Sequence, residues 1–200
     1  MQIGYAHGLI NPLEHALDEI LGLMELLRRE QISAHQMLDK SASIIRQLFR
    51  LRWVAIGLKN PTDGLYRYEI LAGFREDAVV ARRKQAFKIE DFTSNKTYKG
   101  WEVSQYTKMY FEEDKPYTTG SEVTFNRPIL MSSSRRSPDD CLEADYLTVQ
   151  ILGNKGEILG WIETSGTIAG KLPDTATIKW IEMIAGVLGA ALMKRRYVVS

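Results

Sequence analysis

The sequence predicts an α+β domain with a central, mostly antiparallel sheet of roughly five to six strands. Terminal helices should pack on one face of that sheet, and short helices and loops should cover the other. Three observations carry the expectation. Residues 145–152 and 157–164 are β-branched, apolar runs separated by Gly153-Asn154-Lys155-Gly156, a hairpin signal. Residues 51–58 and 65–74 make a second such pair around the turn-forming Asn60-Pro61-Thr62-Asp63-Gly64. The chain closes on a long amphipathic helix opened by Leu172-Pro173-Asp174, where the Asp174 carboxylate can accept from free first-turn N–H groups.

Taken in order, Asn11-Pro12-Leu13-Glu14 is a helix start, with Asn11 as cap and Pro12 at the first helical position. Leu13, Leu17, Ile20, Met24 and Leu27 follow at alternating spacings of four and three, a seam about two heptads long. So short a seam suits a helix lying on another helix, in the same chain or in a second copy. Ser33-Ala34-His35-Gln36 is a capping box, so a new helix begins at Ser33 or a long one bends there. Leu38, Ala42, Ile45 and Phe49 then form a stripe, widened by Met37, Ile44 and Leu48, that belongs against a sheet or in a bundle.

In the strand at 51–58, alternation sets Val54 and Ile56 against Trp53, Ala55 and Gly57. In its partner, Tyr66, Tyr68 and Ile70 share a face. Residues 76–84 read as a short helix, 86–89 as a short strand and 101–110 as one alternating strand. Residues 132–140 are polar, flexible loop by composition.

Two hundred residues suffice for one core, and Lys+Arg 26 against Asp+Glu 25 leave a net charge of +1. That balance gives no footprint for nucleic acid or an anionic membrane. The basic run of Arg75 with Arg82-Arg83-Lys84 reads as a solvated helix face. No signal peptide is expected at the start, and no apolar run approaches the ~20 residues that span a bilayer. The expectation is a soluble, cytoplasmic protein, with a helical dimerisation or signalling segment at 1–37 and the sheet domain at 38–200.

The order of strand, Asn-x-Gly turn, Ile-x-Gly-x-Ile strand, loop, Leu-Pro-Asp and long alanine-bearing helix resembles the C-terminal half of GAF domains, a family of small-molecule sensor modules related to the profilin-like and PAS folds. Trp101-Glu102-Val103-Ser104-Gln105-Tyr106 resembles the short mid-domain strand of that family. The resemblance covers roughly residues 39–196. It implies a regulatory domain that takes a small molecule between sheet and covering helices; the long apolar faces of the two terminal helices, 13–27 and 178–192, add the expectation of a homodimer that relays occupancy through them. The resemblance also places the Trp101 strand near the pocket wall. Relatives carry an acidic pair just after the last strand; here that region is Thr164-Ser165-Gly166.

The chemistry is sparse. His7, His15 and His35 all precede the sheet domain, no histidine–carboxylate or cysteine cluster appears, and no phosphate-cradling glycine loop occurs. Cys141 stands alone, with no histidine near it in sequence to activate it. GAF-fold methionine sulfoxide reductases use several cysteines, and bilin-binding relatives pair theirs with a histidine, so neither pattern is matched. We expect no enzyme, cofactor or metal. Strand aromatics remain, because rings with polar tips stack and still hydrogen-bond. The candidate ligand-binding set is Trp53, Tyr68, Trp101, Ser104, Tyr106 and Tyr110. The candidate dimer helix is Leu13, Leu17, Ile20, Met24 and Leu27. The alternatives are an unliganded scaffold for a kinase or transcription regulator, and a thiol-dependent reductase of the GAF fold.

Overall fold

The computed structural model describes residues 12–28, 32–94, 99–114, 120–131 and 133–196. The order is α1 (Pro12–Arg28), α2 (Ala34–Leu48), β1 (Val54–Lys59), β2 (Tyr66–Ala72), α3 (Glu76–Arg83), α4 (Glu90–Thr93), β3 (Trp101–Glu102), β4 (Thr107–Tyr110), β5 (Tyr146–Leu152), β6 (Ile158–Thr164) and α5 (Thr175–Arg196). The six strands form one sheet in the order β2-β1-β6-β5-β4-β3, with every pairing antiparallel. The expected α+β class and sheet are therefore present. Both hairpins sit where the turn signals put them.

Helices α1, α2 and α5 cover one face. Ile20 and Leu23 of α1, Leu38 and Ile45 of α2, and Ile181 and Leu188 of α5 share one core with Val54, Val149 and Ile162 of the sheet. Each such burial contributes about 1.5–3 kcal/mol. The α2 start is the expected capping box, Ser33 accepting from the Gln36 N–H while the Gln36 side chain accepts from the Ser33 N–H. Asp174 caps α5 by accepting from the Thr177 N–H at 2.7 Å. Gly189 lets α5 lie close to β5, because a Cβ there would stand 2.3 Å from the Leu152 carbonyl oxygen. The Asn11 cap lies outside the described residues.

Four expectations change. The strand expected at 101–110 is a hairpin, β3 and β4, because Ser104 accepts from the Tyr106 N–H and turns the chain. Residues 86–89 form no strand; Phe87 makes only an isolated bridge to Tyr66. Ile70 does not share the face of Tyr66 and Tyr68. The register runs Ile56↔Ile70 and then Gly57↔Tyr68, so Glu69 is an extra residue that reverses the alternation and turns Ile70 to the helix side. The polar loop at 133–140 is pinned rather than loose: Arg135 pairs with Glu113 and with the fully buried Asp145, both at 2.9 Å.

The expectation that no apolar run approaches bilayer-spanning length also changes. By length and composition Thr175–Lys194 could cross a bilayer, with mean hydropathy 1.5. In the fold its Ile178, Ile181, Ile184 and Leu188 are core residues against the sheet, which accounts for the apolar composition.

Gly57 carries the other face. Trp161 on β6 pairs with it in register, and the indole lies across the bare Cα, so an added Cβ would stand 2.0 Å from the ring. Gly57→Ala should therefore destabilise by about 1–3 kcal/mol through overpacking. Gly22→Ala, in α1 with nothing within 4 Å of the added carbon, should stabilise by about 0.5–1 kcal/mol. Denaturant midpoints of the two variants should move in opposite directions; movement in the same direction would refute the packing account.

Candidate functional site

The face away from the long helices holds a cavity of about 240 Å³. Its floor is the sheet: Tyr68 from β2, Trp161 and Glu163 from β6, Tyr146 and Thr148 from β5, and Tyr110 from β4. Alternation puts these on one face. Ladder register sets Thr148 opposite Glu163 and Tyr146 opposite Tyr110. The cover is α3 with Gln85 just beyond it, Phe87, Phe92 of α4, and Thr124 and Phe125 at the end of a 3-10 turn, Ser121–Thr124.

Two aromatic groups shape the walls. Trp161 meets Tyr68 at 5.1 Å, Phe87 at 5.5 Å and Phe92 at 4.9 Å between ring centroids, all tilted or edge-on. On the other side Tyr110 and Tyr146 are stacked at 4.7 Å. Such contacts add about 0.5–1.5 kcal/mol each beyond burial.

A buried ion pair stands between floor and cover. Arg82 Nη1 donates to Glu163 Oε1 at 2.8 Å and to the Tyr68 hydroxyl at 3.0 Å, and its Nε donates to the Thr124 carbonyl at 3.0 Å. Tyr68 in turn donates to Glu163 Oε2 at 2.8 Å. Burial first, and then the Glu163 charge, push the Tyr68 hydroxyl well above its ordinary value, so it remains a donor. Burial works against the Arg82 charge, and Tyr68 and Glu163 more than offset it. Arg82 also lies over the Trp53 and Phe74 rings, at 5.1 and 4.7 Å. The expectation of a solvated basic face fails at this residue, which is 5% exposed. The helical repeat places it inward, one step from the exposed Arg83.

Of the six candidate ligand-binding residues, Tyr68 and Tyr110 line the cavity, and Trp53 lies behind Arg82. Trp101 and Tyr106 are 47% and 41% exposed on the edge hairpin, where Trp101 donates to Asp114 and Lys99 sits over its ring. Ser104 faces the helices instead: its hydroxyl donates to Glu182 of α5, as does that of Thr107 at 2.5 Å. Arg82 enters the sequence reading only as part of a solvated basic run, and Glu163, Phe87 and Phe92 are not among its candidate site residues. Glu163 carried a readable signal, an acid two residues from Trp161 on an otherwise apolar strand, where alternation gives both the same face.

In α1 the candidate seam divides. Ile20 is buried, whereas Leu17 and Met24 are 48% and 46% exposed and run together with Leu21. The side chains of Leu13 and Leu27 lie outside the described ones. Cys141 is buried beside Arg52, whose Nη2 donates to its Sγ at 3.4 Å. Burial pushes its thiol up to about 11, against the pull of Arg52. Among the described residues no group of His, Cys, Asp and Glu is arranged to hold a metal.

No family model matches the sequence, and no curated protein matches it. Solved structures do. The chain is similar to the GAF domain of A. aeolicus Nlh2 in an inactive state, at 12% identity over 92% of this chain and 99% of that one, with a TM-score of 0.59. The GAF domain of an Acinetobacter phosphoenolpyruvate-protein phosphotransferase is 9% identical over 92% and 96%, with a TM-score of 0.56. Free methionine-R-sulfoxide reductase from Neisseria meningitidis, solved with its substrate, is 10% identical over 98% and 99%, with a TM-score of 0.59. The six-stranded antiparallel sheet with its helices matches these neighbours. This chain has the GAF-domain fold.

Breaking the ion pair tests the site's energetics. Arg82→Ala leaves Glu163 buried and unpaired and should cost about 3–5 kcal/mol. Replacing both partners by methionine should recover most of that loss, since both desolvation penalties vanish. Equilibrium unfolding of the single and double variants measures it, and equal losses would show that the pair's charges are not what matters.

Proposed function

We propose that this chain is a signalling GAF domain that binds a small molecule in the sheet cavity and passes occupancy to its terminal helices in a cytoplasmic homodimer. One observation carries the reading: β4 reaches both places. Tyr110 on one face of the strand lines the cavity, and Thr107 on the other face bonds to Glu182 of α5. A ligand that moves β4 therefore acts on the helix that packs against α1 and α2. The dimer part is supported by the α1 stripe of Leu17, Leu21 and Met24, about half exposed and apolar at helical spacing. The same fold serves in a methyl-accepting chemotaxis protein, and it holds a substrate in the Neisseria reductase. The output partner would be another protein.

Native mass spectrometry of freshly purified protein is the test. A dimer carrying mass that is lost on denaturation is the expected result. A monomer at micromolar concentration removes the dimer relay. A dimer with no adduct, and with no thermal response to any small molecule, favours a scaffold. One observation favours that second reading: Trp161, Tyr66, Tyr68, Phe87 and Phe92 already fill the β1–β2 half of this face with side chains.

A thiol-dependent reductase has less support, because burial holds the Cys141 thiol protonated at neutral pH. Against an ordinary value of 9.0, a thiol raised to about 11 has roughly 100-fold less thiolate at pH 8. Iodoacetamide should therefore alkylate native protein about 100-fold more slowly than the unfolded chain. Comparable rates would return the reductase to consideration.

A further inference from the structure

The cavity's charges and shapes narrow what it can take, and this step rests on the binding reading above. Among the described lining residues, the permanent charges are Arg82, Glu163 and Asp91. The first two neutralise each other at 2.8 Å, both nearly fully buried. Asp91 is exposed at the rim and accepts from the Lys88 N–H at 2.8 Å, so water and backbone already satisfy it in part. A charged ligand entering here would lose its water without gaining an uncompensated counter-charge, which is costly. An uncharged one meets no such penalty.

The remaining polar groups both donate and accept. Gln85 supplies a half-buried carboxamide, and elsewhere in the lining the hydroxyls of Tyr110 and Thr148 share a hydrogen bond. The walls are flat rings: Trp161, Phe87 and Phe92 on one side and the stacked Tyr110–Tyr146 pair on the other. Flat ring walls with a few donor–acceptor groups, Gln85 among them, favour a planar molecule with a matching edge. The volume of about 240 Å³ lies below the usual range for drug-sized ligands, about 300–1,000 Å³. We propose that the cavity binds an uncharged, planar aromatic or heteroaromatic molecule of one or two rings whose amide-like edge pairs with Gln85.

Three one-ring probes matched in size separate the charge states: benzamide, benzoate and benzamidine. Binding is read by calorimetry and by thermal unfolding of the intact chain. The expected result is that benzamide binds at least about tenfold more tightly than either ion and raises Tm by a few degrees at saturation. Gln85→Leu, which leaves the sheet untouched, should weaken benzamide about tenfold, the loss of roughly one hydrogen bond. In Glu163→Gln the Arg82 charge is left unbalanced, so preference should pass to benzoate. If that variant does not fold, the Gln85→Leu comparison still decides.

Equal or tighter binding of benzoate or benzamidine to the native chain would overturn the inference and leave the sensor reading intact. An unchanged benzamide affinity in Gln85→Leu would overturn the edge assignment. Binding of none of the three overturns the ligand class, and the mass spectrum of the purified protein then judges the sensor reading separately.

Discussion

Arg82 is the contact on which the cavity face depends. One guanidinium ties α3 to β6 through Glu163, to β2 through Tyr68 and to the Ser121–Thr124 turn through the Thr124 carbonyl. Two pieces of the cover, α3 and that turn, are thereby held at fixed distance from two strands of the sheet. Its planar fork matters, because Nε and Nη1 point at partners in different directions, which a lysine ammonium cannot do from one atom. A buried pair of this kind is weak evidence for net stability, since both ions were desolvated to form it. Its structural consequence is geometric: an apolar pair in the same place would hold the layers together but would not set α3 at one height above the floor.

The sheet has to present two different faces from the same six strands, and two local irregularities make that workable. The bulge at Glu69 lets β2 contribute Ile70 to the helix core and Tyr68 to the cavity, although the two are separated by a single residue. The bare Cα of Gly57 leaves room for the Trp161 indole between β1 and the cover. Remove either feature and aromatic volume would be displaced upward into the space the cavity occupies. The helix face shows no such compromise. It is a mainly aliphatic surface, met by α2 and α5, with Thr107 bonded to Glu182 at its β4 end and Gly189 allowing the close approach of α5 to β5.

What could be read from the sequence follows the range of the interactions. Both hairpins, the Ser33 capping box and the Asp174 cap are made by residues a few positions apart, and each appears where local pattern placed it. The cavity depends on pairings such as Arg82 with Glu163, eighty-one positions apart, and composition near Arg82 pointed to solvent. Only the helical repeat could have turned it inward, and an eight-residue helix gives that repeat little weight. The aromatic candidates divided for the same reason. Tyr68 and Tyr110 lie in strands laddered to a neighbour, β2 on β1 and β4 on β5, whereas Ser104 and Tyr106 lie in the turn and Trp101 on the two-residue edge strand of a hairpin that local alternation reads as one strand. The bulge was out of reach, because nothing in residues 66–72 distinguishes the extra residue until the partner strand is placed.

Strand position also bears on why β4, rather than a central strand, would report occupancy in a sensor. β1 and β6 are each bonded on both sides through ladders of five or six paired residues, so moving either breaks many bonds at once. β4 pairs with β5 over four residues and with β3 over only two. Its displacement disrupts less of the sheet, and low-stability elements of this kind are where ligand-driven motion is found. Yet β4 is not loosely attached to the helices. The Thr107 and Ser104 hydroxyls both end on Glu182, a single carboxylate on α5, so motion of the hairpin is transmitted to that helix by two charge-assisted hydrogen bonds. A soft ladder on one side and a firm anchor on the other is the arrangement in which a small shift of the hairpin would reach the long helix instead of dissipating across the sheet.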